Sequence, residues 1–328
     1  MRSTPAFRYT IFDLCVESDC PLPELLPSGV DKPDIIVHSL PPHEAIDEAP
    51  REIRRWNTPD GRTLRIAART AGGYLLRFPG NADFLISTDC SEIRYRCEQG
   101  VAGPWFRHAL LDQVIPRTLA QGGRLVLHSS AVLIASGAIG LIGGSGRGKS
   151  TLAAAFHAVG AHLLADDSLL LEAAPGGILC APAYPGVRLW PDSAATLRRG
   201  IESQIPLGYV PEKLRCYLNG SGPSDPQASQ VPLRAILSLR RWRPQDRISR
   251  VRLSRLPSAV AATELMAHSF MFDIGDRGHL FQTLQQAARV ASAIPVYLAR
   301  YPSDLARLPQ VCAELTRAIN QGPGGGVD

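Results

Sequence analysis

The chain has 328 residues, 45% hydrophobic and 20% charged, with a formal net charge of +5. That profile suits a globular protein long enough for two domains and excludes a disordered or fibrous chain. No run of about 18 uninterrupted apolar residues occurs, and the opening M-R-S-T-P-A-F-R-Y-T lacks the apolar core of a secretory signal, so no membrane span is expected and the default compartment is the cytoplasm.

Residues 1–100 read as a separate module. Phe7 to Val16 alternates apolar and polar residues as a strand does, and Pro21, Pro23 and Pro27 then break the chain. Further strands are expected at Asp34–His38, Thr63–Ala67, Tyr74–Phe78, Asp83–Ser87 and Ile93–Cys97, with Gly and Asn turns between several of them. This is the pattern of a small antiparallel sheet. No constellation of reactive side chains stands out here, so a structural or docking domain is expected. Trp105 to Gln121 has helical periodicity, with Pro116 expected to kink it and Gly122-Gly123 to end it.

Leu125 to Ile134 is a strongly β-like run containing His128. A histidine there is either a satisfied core residue or a functional one. Ala135-Ser-Gly137 reads as a turn, and Ala138 to Ile142 as the returning strand. The stretch G-G-S-G-R-G-K-S-T follows, in which Gly143, four residues, Gly148, Lys149 and Ser150 satisfy the spacing of a phosphate-binding P-loop. Small residues allow successive backbone N–H groups to face a phosphate. Lys149, one of only three lysines, supplies a mobile positive charge, and the Ser150 hydroxyl is the hard oxygen donor that magnesium prefers. Thr151 to Val159 reads as the helix that such a loop opens, with Gly160 as its stop.

The next strand ends in Asp166 and Asp167, flanked by Leu163–Ala165 and Leu169–Leu171. Two adjacent carboxylates in an apolar run resist burial unless paired or metal-bound, which points to a magnesium-organising role; an exposed Asp-Asp-Ser turn is the alternative. Ala181 to Asp192 is Pro-rich and irregular, with Arg188 and Asp192 either lining a site or serving as loop charges. Lys213 and Arg215 fall on one face if extended, as weak candidates for a second phosphate clamp. Residues 219–230 read as a mobile loop. Leu233–Leu239 and Ile248–Leu253 read as a hairpin whose basic tip, Arg240–Arg247, is a solvated turn rather than a nucleic-acid patch. Helices at Ser258–Met271, His279–Ala293 and Asp304–Ile319 and a strand at Ile294–Ala299 complete the chain. Seven scattered cysteines with no C-x-x-C pair argue against a disulfide framework or structural zinc.

Asp167 lies eighteen residues after Lys149, whereas most P-loop proteins place the acidic strand much later. The GTPase element N-K-x-D and the transporter signature L-S-G-G-Q are both absent. His128, the G-G-S-G-R-G-K-S-T loop and G-A-H-L-L-A-D-D together resemble the HPr kinase/phosphorylases and their relatives over residues 125–172. More loosely, R-Y-T-I-F-D-L, L-L-D-Q-V-I-P-R and Y-P-G-V-R-L-W-P-D make the chain similar to HPr-kinase-related proteins found beside lasso-peptide and other peptide-modification genes. The family's H-G-V reads H-S-S here, and Gly186-Val-Arg-Leu is the nearest stretch to its E-I-R-G.

The residues themselves suggest a smaller mixed α+β N-terminal domain over 1–100 and a flexible tail over 322–328, and the resemblance implies an α/β fold with a P-loop kinase core of the HPr kinase or phosphoenolpyruvate carboxykinase type over 101–321. It implies that Gly143, Gly144, Ser145, Gly146, Arg147, Gly148, Lys149, Ser150 and Thr151 hold ATP. It makes Ser150 and Asp166 the magnesium ligands, Asp167 the general base and His128 an active-site residue. The expected acceptor is a serine hydroxyl on a peptide or small protein, with no nucleic-acid or membrane partner, and a homo-oligomer is compatible with the sequence. The alternatives are a small-molecule kinase on the same fold and a nucleotide-responsive binding protein without transfer activity.

Overall fold

A computed structural model of the chain describes residues 6–41, 44, 46, 50–98, 103–181, 183–184, 186–197, 201–206, 213–218, 230–240, 248–302 and 304–321. The expected tail, nearly all of the expected mobile loop and most of the basic tip lie outside the described residues. Two compact units emerge, Met1–Arg124 with Phe270–Gln282, and Leu125–Ser269 with Thr283–Asp328. The helical segment after residue 103 therefore belongs to the first unit, a division that differs from the sequence-based boundary near residue 100.

The first unit is built on a nine-stranded mixed sheet of β1 (Phe7–Ile11), β2 (Leu14–Ser18), β3 (Leu26–Pro27), β4 (Ile35–Ser39), β5 (Arg51–Asn57), β6 (Thr63–Thr70), β7 (Gly73–Phe78), β8 (Ala82–Ser87) and β9 (Glu92–Cys97). Their order is β3-β1-β2-β4-β9-β8-β7-β6-β5. The opening run is two strands rather than one. Phe12 and Asp13 both take positive φ, 55° and 64°, the backbone a tight two-residue hairpin requires and alternation cannot reveal. The sheet is not purely antiparallel, because β4 pairs in parallel with both β2 and β9. The strand β5 was not expected at all; its arginine-rich sequence suits an end strand with little burial.

Pro104 starts α1 (Pro104–Ala109), and α2 (Ile115–Gln121) follows a π-helical turn at Leu110–Val114. Pro116 lacks the N–H that would bond back, and its ring crowds the preceding turn, which widens. The expected break thus occurs one turn ahead of the proline.

The second unit holds β10 (Leu125–Leu127), β11 (Ser129–Ile134), β12 (Gly137–Ile142), α3 (Lys149–Ala158), β13 (His162–Ala165), β14 (Leu169–Ala174), β15 (Gly177–Ala181), β16 (Val187–Leu189), α4 (Pro191–Thr196), β17 (Ile201–Pro206), β18 (Leu214–Leu218), β19 (Val231–Leu239), β20 (Arg252–Arg255), α5 (Ser258–Ala267), the part of α6 (Arg277–Ala293) from Thr283 onward, β21 (Val296–Arg300) and α7 (Leu308–Gln321). Its main sheet runs β10-β14-β15-β19-β12-β11-β13, with β21 on β19 and β20 on β21. A small sheet, β16-β18-β17, stands beside it. The expected β19–β20 hairpin does not form: β20 pairs antiparallel with β21, and β19 pairs parallel with β12 and β21. Two apolar runs close in sequence cannot reveal that a later strand, Val296–Arg300, takes the place between them.

The core of this unit gathers around α3. Leu152, Ala153, Ala155 and Phe156 are buried with Val132, Ile139 and Leu141 of the sheet, Val187 and Leu189 of β16, and Cys312 and Leu315 of α7. The alanine-rich face lets the helix lie close to the sheet. Its first turn is thereby fixed at the end of β12. Among the described residues, no helix is long and apolar enough to cross a membrane.

Candidate functional site

The loop of residues 143–148 joins β12 to α3. Gly143, at φ 151°, has no room for a side chain, since a Cβ there would lie 2.7 Å from the Leu239 carbonyl oxygen. Gly146 and Gly148 take φ 73° and 85°, a left-handed backbone that glycine adopts without strain. Gly144, Ser145 and Gly146 are exposed, and Arg147 and Gly148 partly so. No side chain caps α3 at Gly148, so the first N–H groups of the helix remain available to an anion.

Lys149 is only 7% exposed. Its Nζ donates to the Gly143 carbonyl at 2.8 Å and to His128 Nε2 at 3.3 Å. Burial pushes its pKa down to about 8; Arg188 and Lys213 push in the same direction, and Asp166 opposes them. Lys213 is lowered likewise, first by burial and then by Arg188. Three cations therefore converge at the loop and repel one another, an arrangement that a polyphosphate would relieve.

Asp166 and Asp167 follow β13 directly and are buried, at 5% and 4% exposure, rather than forming an exposed turn. Asp166 Oδ1 accepts from Ser150 Oγ at 2.9 Å and from Ser130 Oγ at 2.6 Å, while Oδ2 accepts from the Arg188 backbone N–H at 2.9 Å. The Asp167 carboxylate is ion-paired with Arg188. Its backbone takes φ 75°, a region in which aspartate is tolerated better than most residues.

His128 falls where the expected single strand divides, between β10, which pairs with β14, and β11, which pairs with β12 and β13. Its backbone N–H donates to the His268 carbonyl at 2.7 Å, and its Nδ1 lies 2.9 Å from the Asp167 carbonyl oxygen. A carbonyl can only accept, so Nδ1 carries the hydrogen and Nε2 offers its lone pair to Lys149. The ring thus links the backbone of Asp167 to the Lys149 ammonium.

The fold therefore brings His128, Lys149, Ser150, Asp166 and Asp167 into one hydrogen-bonded group. Thr151 turns away, its Oγ1 donating to Ser193 Oγ of α4 at 3.4 Å. Of the weaker candidates, Arg188 joins the group, while Lys213 lies over the Trp190 ring, its Nζ 5.2 Å from the centroid, and acts on Lys149 only through its charge. Asp192 is exposed on α4, and Arg215 is buried with Nη2 3.1 Å from the Tyr184 hydroxyl. Ser130 escaped the sequence reading. The only signal was a pair of hydroxyls, Ser129 and Ser130, in an otherwise apolar run. Its hydrogen bond to a buried carboxylate is worth about 1.5–3 kcal/mol. Ser130→Ala is expected to lower the unfolding free energy by that amount, read from urea titration, and an unchanged midpoint would contradict the role.

The Ser150 hydroxyl and the Asp166 carboxylate are adjacent hard oxygens. They fit magnesium, which takes one or two carboxylates and completes its shell with water and phosphate oxygens.

No protein-family model matches the chain, and no curated protein matches it. Among solved structures, the Hpr(Ser) kinase/phosphatase from Coxiella burnetii aligns with 51% of this chain and 97% of its own, at 16% identity and a TM-score of 0.26. A likeness at that level says nothing of activity, which has to be read from the residues of the site.

Proposed function

We propose that this protein is an ATP- and magnesium-dependent phosphotransferase that moves the γ-phosphoryl group to a serine hydroxyl of a peptide or small protein. The observation that carries the reading is the meeting of the Asp166–Asp167 pair with the start of α3, with Ser150 Oγ 2.9 Å from Asp166. A glycine loop alone would suit any anion. A buried acid pair beside it suits metal-assisted phosphoryl transfer.

In this reading the amides of 143–151 and Lys149 hold the β- and γ-phosphates, and Ser150 and Asp166 would hold magnesium. The metal, when bound, offsets negative charge on the phosphate oxygens. The serine oxygen forms a bond to the γ-phosphorus as the bond to the β,γ-bridging oxygen breaks; ADP departs, and the serine proton passes to the Asp167 carboxylate. Arg188, paired with Asp167 in the free protein, exchanges that partner for the incoming phosphate and frees the base. His128 acts as a positioning residue between Asp167 and Lys149.

The test incubates purified protein with γ-labelled ATP, magnesium and a panel of serine-containing peptides, small proteins and small alcohols. Label is expected on serine of a polypeptide. Labelling of small alcohols alone would replace the acceptor class, and tight ATP binding without any labelled product would favour a nucleotide-responsive binding protein.

A further inference from the structure

Beside the proposed base, the small sheet presents a face unlike the glycine loop. Its strands β16 and β18 pair antiparallel, Val187 with Cys216, Arg188 with Arg215 and Leu189 with Leu214. Val187, Leu189 and Cys216 are buried in the core of this unit, so the alternate positions project from the other face. That face carries Arg188 and Arg215 and, one step beyond the last pair, Trp190 and Lys213. Trp190 keeps an extended backbone, φ −70° and ψ 152°, which continues the alternation past the end of β16. Lys213 Nζ accordingly stands over the Trp190 ring.

The two arginines of this face are engaged. Arg188 is paired with Asp167, and Arg215 is buried and bonded to the Tyr184 hydroxyl. Trp190 and Lys213 are open. Trp190 is 41% exposed. Lys213 is half-buried and, among the described residues, makes no hydrogen bond and meets no acid at ion-pair distance. Burial and the nearby charge of Arg188 lower its pKa, and only the more distant Asp166 opposes them. An aromatic face holds an ammonium in place but does not neutralise it.

Spacing decides what reaches this pair. Arg188 holds the Asp167 carboxylate and lies two positions before Trp190, and strand residues two apart are separated by about 6.5 Å. An extended acceptor chain has the same rise per residue. When its serine hydroxyl meets Asp167, the residue two positions from the serine therefore comes opposite Trp190 and Lys213. A carboxylate there supplies the counter-charge that Lys213 lacks, and a basic side chain there is repelled.

We propose that Trp190 and Lys213 select the acceptor: they bind a polypeptide segment whose target serine has an acidic side chain two positions away, with the carboxylate on Lys213 and the chain against the Trp190 ring. This inference rests on the phosphotransfer reading and narrows its substrate class to acidic serine segments.

Three amidated peptides, with Glu, Gln or Lys placed two positions to either side of a single serine, are compared as acceptors for the full-length protein with ATP and magnesium. The Glu peptide is expected to exceed the Gln peptide by about tenfold in kcat/KM, chiefly through KM, as one charge-assisted hydrogen bond gives. The Lys peptide should be poorer still, and the preference should shrink in added salt. Lys213→Gln should remove the difference between the Glu and Gln peptides, and Lys213→Arg should keep it. The ratio is taken within each variant, so altered ATP binding cancels, and the wild-type comparison needs no variant to fold. Equal use of the Glu and Gln peptides by the wild type, or a preference untouched by Lys213→Gln, overturns the proposal and leaves the transfer reading standing. So does a Trp190→Ala variant that loses ATP affinity and keeps its peptide preference, which assigns the ring to the nucleobase. If no peptide is labelled, calorimetric binding of the same peptides decides. Tighter binding of the Glu peptide, lost in Lys213→Gln, upholds the recognition surface and removes only the reaction; equal binding overturns both.

Discussion

Lys149→Met is expected to weaken ATP binding by about ten- to a hundredfold, the equivalent of one charge-assisted hydrogen bond, while making the unliganded protein more stable. Lys149 titrates near 8 in the fold, mainly because it is buried, against an ordinary value of 10.5. Below pH 8 it is charged in both the folded and the unfolded chain, so folding carries the full penalty of burying that charge, about 3 kcal/mol. The variant removes the penalty and also loses the hydrogen bond to the Gly143 carbonyl, worth about 1 kcal/mol, for a net gain of about 2 kcal/mol. Between pH 8 and 10.5 the unfolded chain holds more protons than the folded one, so this group's contribution to stability rises with pH. The difference between wild type and variant should therefore shrink across that window. Urea unfolding at a series of pH values measures it, and a variant less stable than wild type at pH 7 would refute the account. ATP affinity of the wild type should fall over the same range as the ammonium is lost.

Asp167→Asn is expected to slow phosphoryl transfer by about 10²–10⁴-fold, the usual contribution of a general base, and to leave ATP affinity within a few fold. Asparagine tolerates the left-handed backbone at φ 75° and keeps the main-chain carbonyl that receives His128, so the fold should survive. What disappears is the proposed proton acceptor, along with the ion-pair partner of Arg188. Rates followed by mass spectrometry of the acceptor, beside calorimetric ATP binding, separate chemistry from affinity. A folded variant with an unchanged rate would remove Asp167 from the proposed role.

Local chemistry made part of this site legible from the chain. The loop glycines, Lys149 and Ser150 announce themselves because the backbone turn and the phosphate chemistry both restrict residue type. Asp166 and Asp167 stood out because carboxylates are costly inside an apolar run. Most strand positions followed from alternation, including β6 to β9, since half-buried strands must alternate. The end strand β5 was hidden because it buries too little to need an apolar pattern.

By itself, then, the sequence determined many of the strands and helices and the glycine-rich turn that opens α3, because those depend on neighbours within a few positions. Tertiary structure alone decided the strand partners. It placed β21 between β19 and β20, divided the chain at His128 so that its two halves join different neighbours, and brought Arg188 and Ser130 onto the acid pair. The same holds for Arg54, Arg65 and Arg117, which come from β5, β6 and α2 and face Trp56. Contacts between residues dozens of positions apart are selected by the burial of whole sheets and helices, and no local pattern encodes them.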